Sequence, residues 1–304
     1  MSVLVTGGTG FLGGHLCRAL RDRGTPVVAL DRPGAADPGD GVTYVPGDVT
    51  DGAALRDVMR EHRVTRVVHA ASIVGVAASA GDPGPALRVN ILGAVAVFEA
   101  AAELGVARVV DISSEEYYGD FAEDPIREDA PSAPVSPYGI SKAAVERMGG
   151  YYARTRGLPY AAVRLCWVYG PGFPRARLPQ PWLEDVRAGR ASVLPQGGDQ
   201  RIDFTYVDDA VRGVLAALDA GHLAHAAYNV ATGRGVTLTD LAAEIHTLWP
   251  SWHADIGPGP LELSPGVNAA RKGALCIDRA TTDLGYRPEV SLAEGLRRTA
   301  EAIP

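Results

Sequence analysis

The sequence predicts a doubly wound α/β protein, a parallel sheet with helices on both faces, followed by a second, smaller α/β domain. Three observations lead there. Short apolar runs rich in β-branched residues alternate with helix-length segments through the first half of the chain. These runs are apolar at consecutive positions, as strands buried on both faces are. A glycine-rich turn joins the first run to the first helical segment. A length of 304 residues with 46% hydrophobic residues is enough for one large core, or one core with a smaller neighbour.

In chain order, the strand runs are 3–6, 27–30, 42–45, 67–70, 109–112 and 161–165. Between them lie 11–23, 51–62, 85–104 and 137–156, each long enough for a crossover helix. The last of these begins Ser136-Pro137, a helix cap followed by a favoured first helical residue. Past about residue 168 the texture changes. Gly170-Pro171-Gly172, Pro174, Pro179, Pro181, Pro195 and Gly197-Gly198 break the pattern. We therefore divide the chain into 1–168 and a smaller domain over 169–304. Residues 203–222 read as strand then helix and are expected to pack back on the first domain. Residues 255–273 read as a loop.

Composition excludes several classes. The formal net charge is −7, which argues against a nucleic-acid surface or a polybasic membrane anchor. Cys17, Cys166 and Cys276 are odd in number and widely spaced, so neither a disulfide framework nor a thiolate metal site is expected. No apolar run approaches a membrane span, and the first residues lack a signal-peptide pattern. A cytoplasmic location, no membrane partner and no metal are the expectations. Of 29 basic residues, just Lys142 and Lys272 are lysines.

The first strand runs into Thr6-Gly7-Gly8-Thr9-Gly10-Phe11-Leu12-Gly13, and a helix follows. Glycines at 7, 10 and 13 allow a tight turn and a close approach of backbone to a pyrophosphate, which the helix N-terminus then receives. This makes 1–168 a dinucleotide-binding domain. Asp31 ends the second strand, where a carboxylate accepts from both ribose hydroxyls and repels a 2′-phosphate, favouring NAD. Arg32 beside it keeps NADP open. Asp48 of Gly47-Asp48-Val49 is placed either to meet an adenine amino group or to cap a turn. Small Ala70 and Ala71 after His69 leave room for a dinucleotide across the strand ends, and His69 itself reads as structural.

Tyr138 and Lys142 are four apart, on one face of a helix. A phenol is a poor base at neutral pH, but an ammonium one turn away favours the phenolate. A chain that uses arginine almost everywhere keeps one of its two lysines here. Ser114, at the end of the fifth strand, lies where ligands sit in an open parallel sheet and can share a substrate proton with Tyr138.

T-G-G-T-G-F-L-G, H-A-A, S-S-E-E-Y-Y-G, S-P-Y-G-I-S-K, V-Y-G-P-G and D-F-T-Y-V-D-D occur in that order. This set, spanning nearly the whole chain, resembles the extended short-chain dehydrogenase/reductases, and within them the NAD-dependent epimerase/dehydratase branch. The resemblance implies a Rossmann domain with a smaller substrate domain and a Ser114–Tyr138–Lys142 triad. It implies cofactor contacts from Gly7, Gly10, Phe11, Leu12, Gly13, Asp31, Arg32, Asp48, Val49, Ala70, Ala71, Asn90 and Val168, as well as Tyr138 and Lys142. It also implies a homodimer paired through 85–104 and 137–156. In that family the tyrosine takes a sugar hydroxyl proton while hydride passes to the nicotinamide.

Glu115 and Glu116 beside Ser114 make the motif similar to dehydratases and to ketodeoxysugar reductases of the family. Glu116 is carried as a candidate acid or base, and Glu115 is expected to be solvated at a loop edge. Two departures stand out. Cys166-Trp167 replaces the usual Phe-Asn, and Ile202 stands where an arginine usually precedes Asp-Phe, with Arg201 one residue earlier. A shift of one on a strand reverses the side chain's face. Arg175, Arg177, Arg201 and Arg271 are candidate replacements for the diphosphate anchors, and Trp167 a candidate for stacking on a ring. A substrate without a nucleotide stays open. The expected activity is 4-epimerisation of a nucleotide sugar through a transient ketone. Net reduction or oxidation of a ketodeoxysugar or small hydroxy compound, and glutamate-assisted dehydration, are the alternatives.

Overall fold

The computed structural model describes residues 1–36, 39–76, 79, 81–174, 176–264 and 267–303. Strands β1 (Ser2–Thr6), β2 (Val27–Asp31), β3 (Thr43–Pro46), β4 (Val64–His69), β5 (Arg108–Ser114) and β6 (Tyr160–Leu165) follow in order. After β7 (Ser192–Leu194) and β8 (Arg201–Ile202) comes β9 (Ala227–Val230). One sheet takes seven of them in the order β3-β2-β1-β4-β5-β6-β9, every pairing parallel. This is the doubly wound arrangement, with the strand order reversing beside β1.

Alternate residues of each strand serve opposite faces. Leu4, Val28, Leu30, Val67 and Val109 share one apolar layer with residues of the helices at 52–61, 83–103 and 137–156. Val3, Val5, Ala29, Val68 and Val110 share the other with residues of the helices Phe11–Asp22 and Val207–Asp219. Neither face meets water, which is why the runs read as continuous apolar stretches. The helix Val207–Asp219 buries Val207, Val214, Leu215 and Leu218, each contributing roughly 1.5–3 kcal/mol. It packs on the Phe11–Asp22 helix and on β5, β6 and β9.

The segment Pro83–Glu103 corrects one expectation. By length and apolar composition it passes for a membrane-crossing helix, and half of it is buried inside the protein. It packs on the helix Gly52–Glu61 and on Pro137–Arg156, the place of a core helix. Its regularity is interrupted by a π-turn at Arg88–Leu92, which no periodicity in the sequence marks. The helix Pro137–Arg156 starts as expected, with the Ser136 hydroxyl accepting from the Gly139 N–H at 3.0 Å. Gly157, at φ 65°, ends it.

The later chain forms small sheets: β8 with β10 (Val236–Thr237) and β7 with β11 (Ala254–Ile256). β12 (Glu262–Ser264) pairs antiparallel with β13 (Val267–Asn268). These last three strands fall partly in the stretch read as a loop. Each has two or three residues, too few for a periodic signal, and their pairing partners supply the order.

Candidate active site

The site is built where β1, β4 and β5 end. After β1 the chain turns through Gly7 at φ 68°, and the helix begins at Phe11 with Gly10 at its cap. Gly10 has no side chain to accept from the first-turn amides, so those donors stand ready for an anion. A Cβ on Gly13 would lie 2.0 Å from the Gly7 carbonyl oxygen, so the helix approaches its own turn as closely as a backbone can. Ala71 lies directly against Gly7, and its N–H donates to Thr6 Oγ1. The Asp31 carboxylate accepts from the Thr9 N–H (3.1 Å) and hydroxyl (2.7 Å), which fixes it beside the turn. These features fit a dinucleotide: an uncapped helix start, a cradle a Cβ would fill, and a carboxylate held beside the turn at the end of β2.

The other cofactor candidates vary. Arg32 is exposed, and its N–H donates to Asp31. Asp48 is exposed and accepts from the Thr50 N–H and hydroxyl, bonds that hold its carboxyl below the usual range. Val49 is buried under Gly93, whereas Phe11, Leu12, Ala70 and Val168 are half-buried. Asn90 lies in the π-turn, its amide donating to the Ile73 carbonyl and Ser141 Oγ and accepting from the Ile73 N–H. Both its donors are spent inside the protein, so it braces the site from behind. His69 is fully buried and hydrogen-bonded to Thr6 Oγ1 at 2.8 Å.

Tyr138 and Lys142 are both buried. The Lys142 ammonium lies 5.7 Å from the centre of the Tyr138 ring and donates to the Ile112 carbonyl at 2.7 Å. Burial lowers the Lys142 pKa, and Asp111 and Glu146 oppose that. A Cβ on Gly139 would meet the Glu116 carbonyl oxygen at 2.6 Å. The glycine after Tyr138 thus lets the strand end carrying Ser114 press against the helix start. Ser114 Oγ donates to Glu115 Oε2 (2.8 Å) and accepts from the Glu116 N–H (3.2 Å).

Here the sequence reading needs correction. Glu115 is not at a solvated edge: it is 3% exposed, and Glu116 is 8% exposed. A single turn of 3₁₀ helix, Glu115–Tyr117, folds both inward beneath the helix start. Burial raises the Glu115 pKa, while the charges of Lys272 and Arg177 oppose it. Lys272, the second of the two lysines, lies 3.3 Å from Glu116 and donates to the Gly119 carbonyl at 3.1 Å. Sequence reasoning passed over Glu115 and Lys272 as site residues. The scarcity of lysine that drew attention to 142 pointed equally to 272.

Trp167 is buried in a left-handed backbone conformation, φ 31°, rare for a bulky residue and a mark of local strain. The Arg177 guanidinium stacks on its ring at 3.5 Å and reaches to 3.9 Å from Glu115. Arg177 therefore joins the Ser114 cluster. Arg201 does not: it pairs with Asp124 at 3.0 Å and donates to the Gly235 carbonyl. Arg271 is exposed and donates to the Phe121 carbonyl. An anion at Arg201 would compete with Asp124. Arg175 lies outside the described residues. Among the described residues, no group of three or more His, Cys, Asp or Glu is placed to hold a metal ion.

Comparison with known proteins follows this geometry. The model of the NAD dependent epimerase/dehydratase family matches residues 3–231. The dTDP-glucose 4,6-dehydratase of Streptomyces antibioticus is 31% identical over 99% of this chain and 92% of its own. Among solved structures, the Thermotoga maritima UDP-glucose 4-epimerase with UDP-glucose superposes with a TM-score of 0.90. It is 29% identical and covers 99% of this chain and 98% of its own. The Thermus thermophilus UDP-glucose 4-epimerase complex with NAD gives 0.87 at 29% identity, with the same coverage.

Proposed function

The chain belongs to the NAD dependent epimerase/dehydratase family, and from that premise we propose that it epimerises a nucleotide sugar at carbon 4 through a transient ketone. The observation that carries the reading is the Tyr138–Lys142 pair, buried together beside Ser114 at the end of β5. Bound NAD supplies reversible two-electron redox chemistry at its nicotinamide. The amides of Phe11, Leu12 and Gly13 would hold its pyrophosphate and Asp31 its adenosine ribose. Tyr138 takes the proton from the sugar hydroxyl as the carbonyl forms and returns it when the carbonyl is reduced. Lys142, charged and one turn away, stabilises the phenolate form of Tyr138. Ser114 Oγ, which donates to Glu115 in the free protein, would turn its proton to share the hydrogen bond to the reacting oxygen. Rotation of the ketone between the two half-reactions would deliver the epimer.

A second reading rests on the buried Glu115 and Glu116. Dehydration next to the ketone needs an acid and a base besides the tyrosine, and the two carboxyl groups flank Ser114 in different electrostatic settings. Glu116 is paired with Lys272, and Glu115 has a raised pKa. A buried carboxyl with a raised pKa is suited to hold a proton and donate it. Incubating the protein with UDP- and dTDP-glucose and with UDP-glucuronic acid, with products read by NMR, decides the matter. A 4-epimer supports the first reading, a keto-deoxysugar the second, and no conversion of any of them counts against both.

We further propose a homodimer built on the two long helices, where Leu92, Ile140 and Tyr151 are exposed. Leu92→Glu with Ile140→Glu should give a monomer in sedimentation, and an unchanged sedimentation coefficient would exclude this face. We assign 1–168 to the cofactor and most of 169–304 to the substrate, with Val207–Asp219 returning to the sheet. A reducing, cytoplasmic setting suits the three free, buried cysteines.

A further inference from the structure

Beneath the Pro137–Arg156 helix, the sheet carries a buried acid that the chemistry above does not use. Val109, Asp111 and Ser113 alternate along β5 and share one face. Val109 belongs to the apolar layer beneath the Pro137–Arg156 helix, and Ser113 Oγ donates to Glu146 of that helix. Asp111 lies between them, 0% exposed, next to the residue whose carbonyl receives the Lys142 ammonium. The Tyr160 hydroxyl is the neighbour that can offer Asp111 a hydrogen bond, though the two fall short of full hydrogen-bond geometry, and among the described residues neither carboxyl oxygen has another partner. A buried carboxyl with so little hydrogen bonding is costly, and native proteins rarely keep one without a compensating role.

The groups facing Asp111 narrow that role. From β4 comes His69, its partner in register, neutral because burial depresses its pKa to about 3. From β6 come Tyr160 and Arg164. The helix Pro137–Arg156 brings Lys142 and Glu146, and the helix at 83–103 brings Phe98. Glu99 accepts from Tyr152. Glu146 is committed, its two oxygens holding Arg164 at 2.6–3.2 Å and also accepting from Ser113. Asp111, with the Tyr160 hydroxyl beside it and no ion pair among the described residues, is thus the carboxylate left to act on the Lys142 ammonium.

We propose that Asp111 is a positioning residue for Lys142: its carboxylate keeps the buried ammonium charged and held toward Tyr138. The inference rests on the reading of Tyr138 and Lys142 as the proton-transfer pair. Burial pushes the Asp111 carboxyl up to about 7, with the Lys142 charge opposing, so its support for Lys142 switches on as pH rises through neutrality. Without Asp111, burial would strip the proton from Lys142 at lower pH, and the phenolate of Tyr138 would lose its counter-charge.

The chain's two lysines make the test direct. Protein labelled with carbon-13 at the lysine ε-position, with NAD bound, should give two resonances, and Lys142→Arg assigns them. In Asp111→Asn, a near-isosteric change, the Lys142 resonance should titrate at least about one pH unit lower than in the wild type, with Lys272 unmoved. The wild type alone provides a second readout, an inflection of the Lys142 resonance near neutrality as Asp111 ionises. An unshifted Lys142 titration in Asp111→Asn overturns the proposal. Should that variant fail to fold, a wild-type Lys142 trace flat through neutrality overturns it equally. Neither readout depends on turnover, so failure here is separate from failure of the proposed reaction.

Discussion

Replacing Lys272 with methionine tests the buried charge pair that the sequence alone did not reveal. The Lys272 and Glu116 side chains are 2% and 10% exposed and approach to 3.3 Å. With an effective dielectric near 20, their attraction is about 5 kcal/mol. Methionine fills the same channel with an apolar chain, so the change removes charge rather than volume. The change leaves the Glu116 carboxylate buried without its partner, so the destabilisation should be about 3–5 kcal/mol, the usual range for a broken buried pair. Adding Glu116→Gln should recover part of it, because the group 3.3 Å from position 272 is then neutral, while Glu115 keeps Arg177 at 3.9 Å. Guanidinium unfolding of NAD-saturated protein at pH 7, across both single variants and the double, measures each term. A loss under 1 kcal/mol at pH 7, or a double variant as unstable as the sum of the singles, would refute the reasoning.

Further expectations concern the cofactor turn, the proton donor and acid stability. Gly13→Ala places a methyl 2.0 Å from the Gly7 carbonyl oxygen. It should lower NAD affinity more than 100-fold, about 3 kcal/mol, with calorimetry as the check. Tyr138→Phe should abolish turnover and leave NAD affinity within about threefold, a difference under 1 kcal/mol. Normal turnover in that variant would disprove the assigned role. For His69, burial depresses the pKa to about 3. The unfolded chain binds a proton below pH 6.5 that the folded one refuses, so stability is intact above pH 6.5 and is lost as pH falls toward 3. The contribution approaches about 5 kcal/mol at the acid end. His69→Gln, which keeps a partner for Thr6, should unfold less steeply with acid between pH 6.5 and 4.

Local chemistry was legible in the sequence. The first strand, the glycine turn and the helix at Phe11 are adjacent in the chain, and their residue types leave few alternatives. The Pro137–Arg156 helix was legible for the same reason, with Ser136 and Gly157 marking its ends. What the sequence concealed is made by contacts across long separations. Lys272 meets Glu116 across 156 positions, and no periodicity in either segment announces it. The burial of Glu115 depends on one turn of 3₁₀ helix at the end of β5, shorter than any pattern window. Asp111 reads as a polar interruption in an apolar strand, and its lysine partner is known once the helix is laid on the sheet. β9 was missed because its four residues join a sheet whose other strands lie far earlier in the chain.

The central claim is that the protein recycles a resident NAD at a tyrosine–lysine site. The most direct measurement is to denature the purified protein, identify the nucleotide released and count it per chain. Close to one equivalent of NAD is the expected result. No retained nucleotide, with weak, exchangeable binding of added NADH or NADPH, would contradict the claim and turn the search to a net reductase or dehydrogenase.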